Sequence, residues 1–281
     1  MKKIAISLDS ASDLSKELIE KYDFKIIPFG VNLGDKFFYD GEITPEEIFE
    51  YADNNKTLPK TNAVNEEAFK EHFAKILNDY DAIIHFDISS EMSSAYQNAV
   101  NASKNFKNVY VVDSRTLSTA ISLEAIYAKK LTETMDDPAK IVELVKKRIP
   151  AVQASFIIER LDYLYKGGRC SGLALLGANL LKIRPEIEVL NGNMKNTEKF
   201  RGKMADCVTK YCRATLEKYN HPDKSVIFIT HSVADKELVD AAKAVVSEYG
   251  FENVYETTAG CTVSSHCGKN TLGILYINDA E

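Results

Sequence analysis

The sequence has no basic excess, no paired-cysteine motif and no long apolar run, and each absence excludes a class of protein. Its 281 residues include 35 Lys and Arg against 41 Asp and Glu, a net charge of −6, which argues against a broad nucleic-acid-binding face. No apolar stretch approaches the ~20 residues of a membrane-spanning helix, so we expect no membrane span. The five cysteines are an odd number without C-x-x-C spacing, which indicates a reduced, cytoplasmic protein.

Motifs that bind nucleotides or activate a catalytic serine are also missing. There is no Walker loop, no Gly-x-Gly-x-x-Gly fingerprint and no Gly-x-Ser-x-Gly elbow, so the chain offers no sign of a cofactor. Cys261 and Cys267 flank His266, but no third and fourth zinc ligands accompany them. We therefore expect neither a cofactor nor a metal.

What the sequence does contain is a largely alternating order of strands and helices, which predicts an α/β fold. Up to Pro150 the pattern is that of a mostly parallel sheet with helices on both faces, and a second α/β domain follows, giving domains 1–150 and 151–281. Ligands of such sheets bind beyond the carboxyl ends of the strands. Polar pairs fall at three of these ends: Asp9-Ser10, Ser89-Ser90 and Asp113-Ser114.

Three other segments have an expected local structure. Lys25–Leu33 reads as one strand, and Thr57–Val64 (TLPKTNAV) reads as a loop that carries a free hydroxyl at Thr61. Leu173–Leu181 reads as a small apolar helix.

A serine-rich turn follows the apolar strand that begins at Ala82. Ser89, Ser90, Ser93 and Ser94 lie within six residues, and a helix begins at about Ser94. Hydroxyls beside the free N–H groups of a helix start favour an anion. Ordinary N-capping by serine is the alternative, although one cap does not require four serines.

Two further segments offer groups that suit an anion. In LDYLYKGGRCSG two glycines let the backbone pass close to another group and present Arg169, whose guanidinium fits a carboxylate or phosphate. The alternative is a glycine helix cap beside an exposed arginine. The segment Thr257–Gly268 reads as a loop with several hydroxyls and His266, which either contacts a ligand or is structural.

Aspartates at the strand ends suggest an enzyme alternative. Asp9, Asp87 and Asp113 are the residue type that holds Mg²⁺ in a phosphohydrolase. Aspartates in such positions also cap turns and helices, so this reading competes with a purely structural one.

Taken together, these motifs resemble the DegV family, the fatty-acid-binding subunit of bacterial fatty acid kinase. The resemblance runs the length of the chain and depends on the order and spacing of several short motifs. They are Asp9-Ser10 with Asp13-Leu14, Thr61, Ser89-Ser90 with Ser93 and Tyr96, Val112-Asp113-Ser114, Leu161-x-x-Leu164-x-Lys166-Gly167-Gly168-Arg169, and His266-x-Gly268.

The resemblance implies two α/β domains with a long-chain fatty acid buried between them. Such a protein is a carrier, and it presents the carboxylate to a separate ATP-dependent kinase that makes acyl phosphate for phospholipid synthesis. Carried over by motif, Thr61 and Ser93 hydrogen-bond the carboxylate, with Arg169 and His266 nearby. Ser94, beside Ser93 in the serine turn, is a further candidate ligand-binding residue. The apolar segment Leu173–Leu181 is either a wall of the tail pocket or plain core.

Three segments depart from the family pattern, and they leave acyl preference and ligand class open. Asn62–Asn65, Ser94-Ala95 and Cys267–Asn270 stand where the family has Ser-Gln-Pro-Ser, Gly-Thr and Thr-Gly-Pro-Gly. A further alternative is therefore a small-carbonyl-binding enzyme in which His266 forms a covalent adduct, as in dihydroxyacetone kinases.

Overall fold

A computed structural model describes residues 2–170 and 183–280 of the chain. The elements of the first half are β1 (Ile4–Asp9), α1 (Lys16–Tyr22), β2 (Lys25–Ile27), β3 (Gly30–Leu33), β4 (Lys36–Tyr39), α2 (Pro45–Asn55), β5 (Lys60–Asn62), α3 (Glu66–Ile76), β6 (Ala82–Asp87), α4 (Ala95–Ser103), β7 (Val109–Asp113), α5 (Thr119–Thr132) and α6 (Pro138–Arg148). Those of the second half are β8 (Val152–Ile157), α7 (Asp162–Gly167), β9 (Ile183–Leu190), β10 (Asn193–Arg201), α8 (Met204–Lys218), β11 (Ile227–Ser232), α9 (Lys236–Val246), β12 (Val254–Thr258), α10 (Cys261–Cys267) and β13 (Thr271–Ile277).

The strands form three sheets. The first is parallel, with strand order β2-β1-β6-β7, and the second is mixed, with order β10-β9-β8-β13-β11-β12. The third is a small antiparallel sheet of order β4-β3-β5. A mixed α/β fold with a parallel N-terminal sheet flanked by helices was the predicted class, and it is confirmed.

Local sequence explains where several elements begin and turn. Thr44 and Glu47 form a capping box ahead of α2, with proline at the first helical position, and the Asn65 side chain caps α3. The hairpin between β9 and β10 turns at Asn191-Gly192, where both residues have positive φ.

The core is continuous across the two halves of the chain. All six residues of β1 and all six of β6 are buried, because helices cover both faces of the parallel sheet. One hydrophobic cluster joins Phe86 of β6 to Phe156 of β8 and Phe228 of β11. The boundary between domains 1–150 and 151–281 stays a prediction.

The expected single strand Lys25–Leu33 is wrong, because the segment forms two strands in different sheets. Lys25–Ile27 pairs with β1, whereas Gly30–Leu33 belongs to the small sheet. Pro28 stands between them and has no N–H for a sheet ladder. The next N–H, of Phe29, donates instead to Ser10 Oγ at 3.0 Å.

Two expected loops contain regular structure. Thr57–Val64 includes β5, which pairs with β3, and Thr257–Gly268 includes α10. The start of α10 depends on a distant residue, since Asp40 accepts hydrogen bonds from the N–H groups of Cys261 (2.8 Å) and Thr262 (3.0 Å). Such partners cannot be read from the local sequence.

The predicted helix Leu173–Leu181 lies outside the described residues. Among the helices in 2–170 and 183–280, none has the length and apolar character needed to cross a membrane.

One serine of the parallel sheet, Ser7 of β1, is hydrogen-bonded to two histidines, His72 of α3 and His85 of β6. Ser7 Oγ lies 2.8 Å from His72 Nε2 and 2.9 Å from His85 Nδ1. Burial lowers the pKa of each imidazole to about 3. Both rings are therefore neutral in the folded protein at neutral pH, whereas in the unfolded chain they titrate near 6.5.

This depressed pKa predicts an acid-sensitive contribution to stability. It is fully present above pH 6.5 and is lost as the pH falls towards 3, because the unfolded chain then binds the extra proton. The loss is on the order of 1 kcal/mol per pH unit for one histidine. In His72→Gln, which keeps a polar partner for Ser7 but does not titrate, the free energy of unfolding should fall less over this range in denaturant titrations. The exposed His221→Gln is the control; pH curves for His72→Gln and wild type that run parallel would contradict the assignment.

Candidate functional site

The small sheet, the serine turn and α10 enclose a cavity of about 210 Å³. All five side chains predicted to bind a ligand line this cavity. They are Thr61, Ser93, Ser94, Arg169 and His266. The fold thus brings together residues that are separated by up to 205 positions.

The four serines of the turn form two pairs with different roles. Ser93 and Ser94 line the cavity, and Ser93 Oγ accepts a hydrogen bond from Ala95 N–H at 3.2 Å. Ser94 is the N-cap residue of α4, but its hydroxyl makes no capping bond and it is exposed. Its hydroxyl thus remains available at the cavity.

The other two serines, Ser89 and Ser90, do not line the cavity, and their hydroxyls bond to other parts of the protein. Ser89 Oγ donates to the Gly192 carbonyl at 2.8 Å, which attaches the β9–β10 hairpin tip to the parallel sheet. Ser90 Oγ donates to Asp113 at 2.5 Å. The anion-site and structural readings of the turn therefore apply to different serines.

A hydrogen bond between two residues that line the cavity joins Thr61 to His266. Thr61 Oγ1 and His266 Nε2 are 2.8 Å apart, one on β5 and the other on α10. Burial first, and the nearby charge of Arg169 second, lower the pKa of His266 to about 4. The imidazole is therefore neutral at pH 7.

The surroundings of the second ring nitrogen decide where its proton sits. His266 Nδ1 is buried and has no hydrogen-bond partner among the described residues, and it lies against the backbone of Gly167. We therefore assign the proton to Nε2, which donates it to Thr61 Oγ1. The hydroxyl hydrogen of Thr61 is then free to point to a ligand.

The two glycines before Arg169 have different tasks. Gly168 has φ +70° and ends α7 as its left-handed cap. At Gly167 a Cβ atom would lie 2.5 Å from His266 Nδ1, so the glycine permits close approach to the ring. Arg169 is exposed, and its Nη1 donates to the Gly167 carbonyl at 2.6 Å. The segment thus shows both features that the sequence suggested: a close approach of the backbone at Gly167, and a glycine helix cap beside an exposed arginine.

Sequence reasoning missed Asp40, whose carboxylate anchors the first turn of α10. Asp13 adds a second tie by accepting from Gly260 N–H at 2.8 Å. Thr262, one helical turn before His266, also lines the cavity, and its buried hydroxyl has no partner within the described part of the chain. Because the tie to Asp40 is long-range, only the unusual richness of hydroxyls around His266 signalled this end of the site.

The remaining walls of the cavity are apolar. The residues concerned are Phe29, Ala63, Ile88, Met92, Leu117, Met194, Val263 and Cys267. A molecule that fills the cavity thus meets both polar groups (hydroxyls, an imidazole and a guanidinium) and hydrocarbon side chains.

The strand-end aspartates Asp9, Asp87 and Asp113 do not form the Mg²⁺ site of a phosphohydrolase. Asp9 and Asp87 are buried, and burial raises the pKa of both carboxyls well above its usual range. Asp113 is occupied by Ser90 and by the backbone N–H of Arg115. Within residues 2–170 and 183–280, no group of three His, Cys, Asp or Glu side chains could hold a metal ion.

Fold and site together define an α/β protein with a cavity lined by hydroxyls, an imidazole, a guanidinium and apolar side chains. The family model described as "Uncharacterised protein, DegV family" matches residues 3–279. The chain belongs to the DegV family, which confirms the resemblance seen in the sequence.

Named relatives agree with this placement. A "Fatty acid-binding protein" of Thermotoga maritima is 32% identical, and the alignment covers 96% of each chain. A solved structure from the same organism, described as a hypothetical protein that reveals fatty acid binding function, is 29% identical with a TM-score of 0.83, covering 99% of this chain and all of the other. A DegV family protein from Thermus thermophilus, 24% identical over 99% of this chain and all of that one, has the same fold with a TM-score of 0.91.

The packing of Gly167 on the imidazole gives a testable prediction. In Gly167→Ala the new methyl group should displace the ring and disturb the Thr61–His266 bond, since 2.5 Å is far inside van der Waals contact. The ¹⁵N chemical shifts of the His266 ring, which report its tautomer, should change.

Gly168→Ala is the matched control. A Cβ there meets nothing within 4 Å, but φ +70° is strained for alanine, so the variant should lose about 1 kcal/mol of stability and keep the ring shifts. If Gly167→Ala also left the ring shifts unchanged, the close contact would not constrain His266.

Proposed function

We propose that this protein binds one long-chain fatty acid in the cavity, with the carboxylate at the hydroxyl and imidazole end and the acyl chain along the apolar walls. The observation that carries the proposal is that all five predicted polar side chains line one cavity, whose other lining residues are mostly apolar. Its relatives in the DegV family whose names state a ligand are named for fatty acid or lipid binding.

Burial of hydrocarbon supplies most of the binding free energy in this proposal. Each methylene moved from water contributes ~0.8 kcal/mol, so some fifteen methylenes give on the order of 12 kcal/mol before the costs of association. The polar contacts mainly decide which end of the ligand lies where.

A buried carboxylate needs donors that are already in place, because an unpartnered buried anion is very costly. Thr61 qualifies, since His266 donates to its oxygen and leaves its hydrogen free. The Ser94 hydroxyl makes no bond to its own helix, and Thr262 carries a buried hydroxyl without a partner. A neutral His266 avoids placing a second buried charge beside the ligand.

The exposure of the lining residues supports an outward-facing carboxylate. Ser94 and Arg169 are exposed, whereas Leu117, Val263 and Cys267 are buried. We infer that the protein presents the carboxylate to a separate ATP-dependent fatty acid kinase, which converts it to acyl phosphate, and that it is itself a carrier without catalytic activity. Four cysteines, Cys207, Cys212, Cys261 and Cys267, are buried thiols outside any disulfide, which supports a cytoplasmic place of action.

Neither enzyme alternative has a comparable observation. The aspartates needed for a Mg²⁺-dependent phosphohydrolase are buried or already bonded. Covalent attack by His266 requires an open ring nitrogen, but Nε2 bonds Thr61 and Nδ1 lies against Gly167.

The direct test is mass spectrometry of protein purified from bacteria. The native mass should exceed the chain mass by that of one fatty acid, and the acid should appear after solvent extraction. Protein that carries no acid and fails to bind added palmitate in calorimetry would refute the proposal.

The head-group contacts predict a second result. Thr61→Val combined with Ser93→Ala removes two hydroxyls without adding bulk, and should weaken palmitate binding about ten- to a hundredfold. Acyl-phosphate formation with a fatty acid kinase and ATP should fall in parallel.

Two substitutions away from the cavity serve as controls. Thr197→Val changes an exposed residue of β10, and Ser103→Ala lies at the other end of α4 from Ser93. Both should bind palmitate as the wild type does. Equal binding by the double variant would remove Thr61 and Ser93 from the site.

A further inference from the structure

A small cavity of about 30 Å³ adjoins the cavity of the candidate site. The two cavities share three lining residues, Leu117, Val263 and Cys267. All three are buried and border both cavities, so we take them as the partition between the two.

Although several polar residues border the small cavity, their side chains are bonded within the protein. Thr230 Oγ1, for example, lies 2.7 Å from Thr119 Oγ1 and 2.9 Å from Thr257 Oγ1. The polar residues paired in this way are Ser118, Ser155, Thr230, His231, Ser232 and Thr271.

The hydroxyls that border the small cavity are thus engaged within the protein, and its exposed lining is almost entirely apolar. A buried water typically makes about three hydrogen bonds, and cavities that cannot provide them remain dry and accept hydrocarbon. Its position, beyond the partition and away from Thr61 and His266, is where the far end of a chain-like ligand would lie.

The faces of α10 agree with this direction. Thr262 and His266, one turn apart, line only the large cavity, whereas Val263 and Cys267, also one turn apart, line both. The helix thus turns a polar column to the head of the ligand and an apolar column to its tail.

We propose that Leu117, Val263 and Cys267 form the stop that measures the acyl chain, and that the dry cavity behind them receives its terminal methyl end. This inference rests on the proposed function and adds to it which side chains set the longest acid that fits. Cys267, the smallest member of the partition, is then a specificity-determining residue for chain length.

Two substitutions test the stop from opposite sides. Cys267→Ala thins the partition, so the acids extracted from the purified variant should be longer by about two carbons, and affinity for the longer acid should rise about tenfold relative to the shorter one. Ala259→Val fills the small cavity from its far side without lining the large one, and should shift the acids in the shorter direction.

The measurements are mass spectrometry of the extracted acids and competition binding with straight-chain saturated acids of increasing length. Thermal denaturation checks that each variant folds, and Val263→Ala, which trims the same partition, decides the case if Cys267→Ala does not. If the folded variants carried acids of the same chain lengths as the wild type, the proposed stop would be refuted, but fatty acid binding would not. A wild type that binds no acid would instead overturn the proposed function.

Discussion

The hydrogen bond between Thr61 and His266 is the contact on which the arrangement of the site depends. It joins a short edge strand of the first half to a helix near the C-terminus, across 205 positions of sequence. The bond orients both side chains. Because the neutral imidazole donates from Nε2 to the threonine oxygen, the hydroxyl hydrogen of Thr61 is left free for a ligand. The carboxylate of the proposed ligand needs such pre-placed donors wherever the protein shields it from water.

Long-range hydrogen bonds fix the position of α10, which carries His266, beside β5, which carries Thr61. Asp40 follows β4 of the small sheet and accepts from the first N–H groups of α10, and Asp13 accepts from Gly260. A carboxylate at a helix N-terminus is stabilised by the helix dipole. The same small sheet thus carries Thr61 and leads into the residue that positions the histidine, so head-group geometry and core packing are linked.

Two small residues, Gly167 and Ser89, allow other segments of the chain to pack close to the site. Gly167 lets the backbone before Arg169 lie against the imidazole, and Ser89, just after β6, attaches the hairpin tip at Gly192 to the parallel sheet. The chain departs from the family pattern at Asn62–Asn65 and Cys267–Asn270, yet Thr61 and His266 still meet. These departures therefore leave the central contact intact and alter its neighbours.

The sequence alone determined the α/β class, the caps at Thr44 and Asn65, the Asn-Gly hairpin and the residue types at the site. These features depend on periodicity and on neighbours within a few residues, which a sequence displays directly. Only the tertiary structure decided that Thr257–Gly268 contains a helix, that Ser93 and Ser94 rather than Ser89 and Ser90 line the cavity, and that Gly167 touches His266. Those outcomes depend on partners such as Asp40 and Gly192, which lie a hundred residues or more away, and their positions exist only once the sheets have packed.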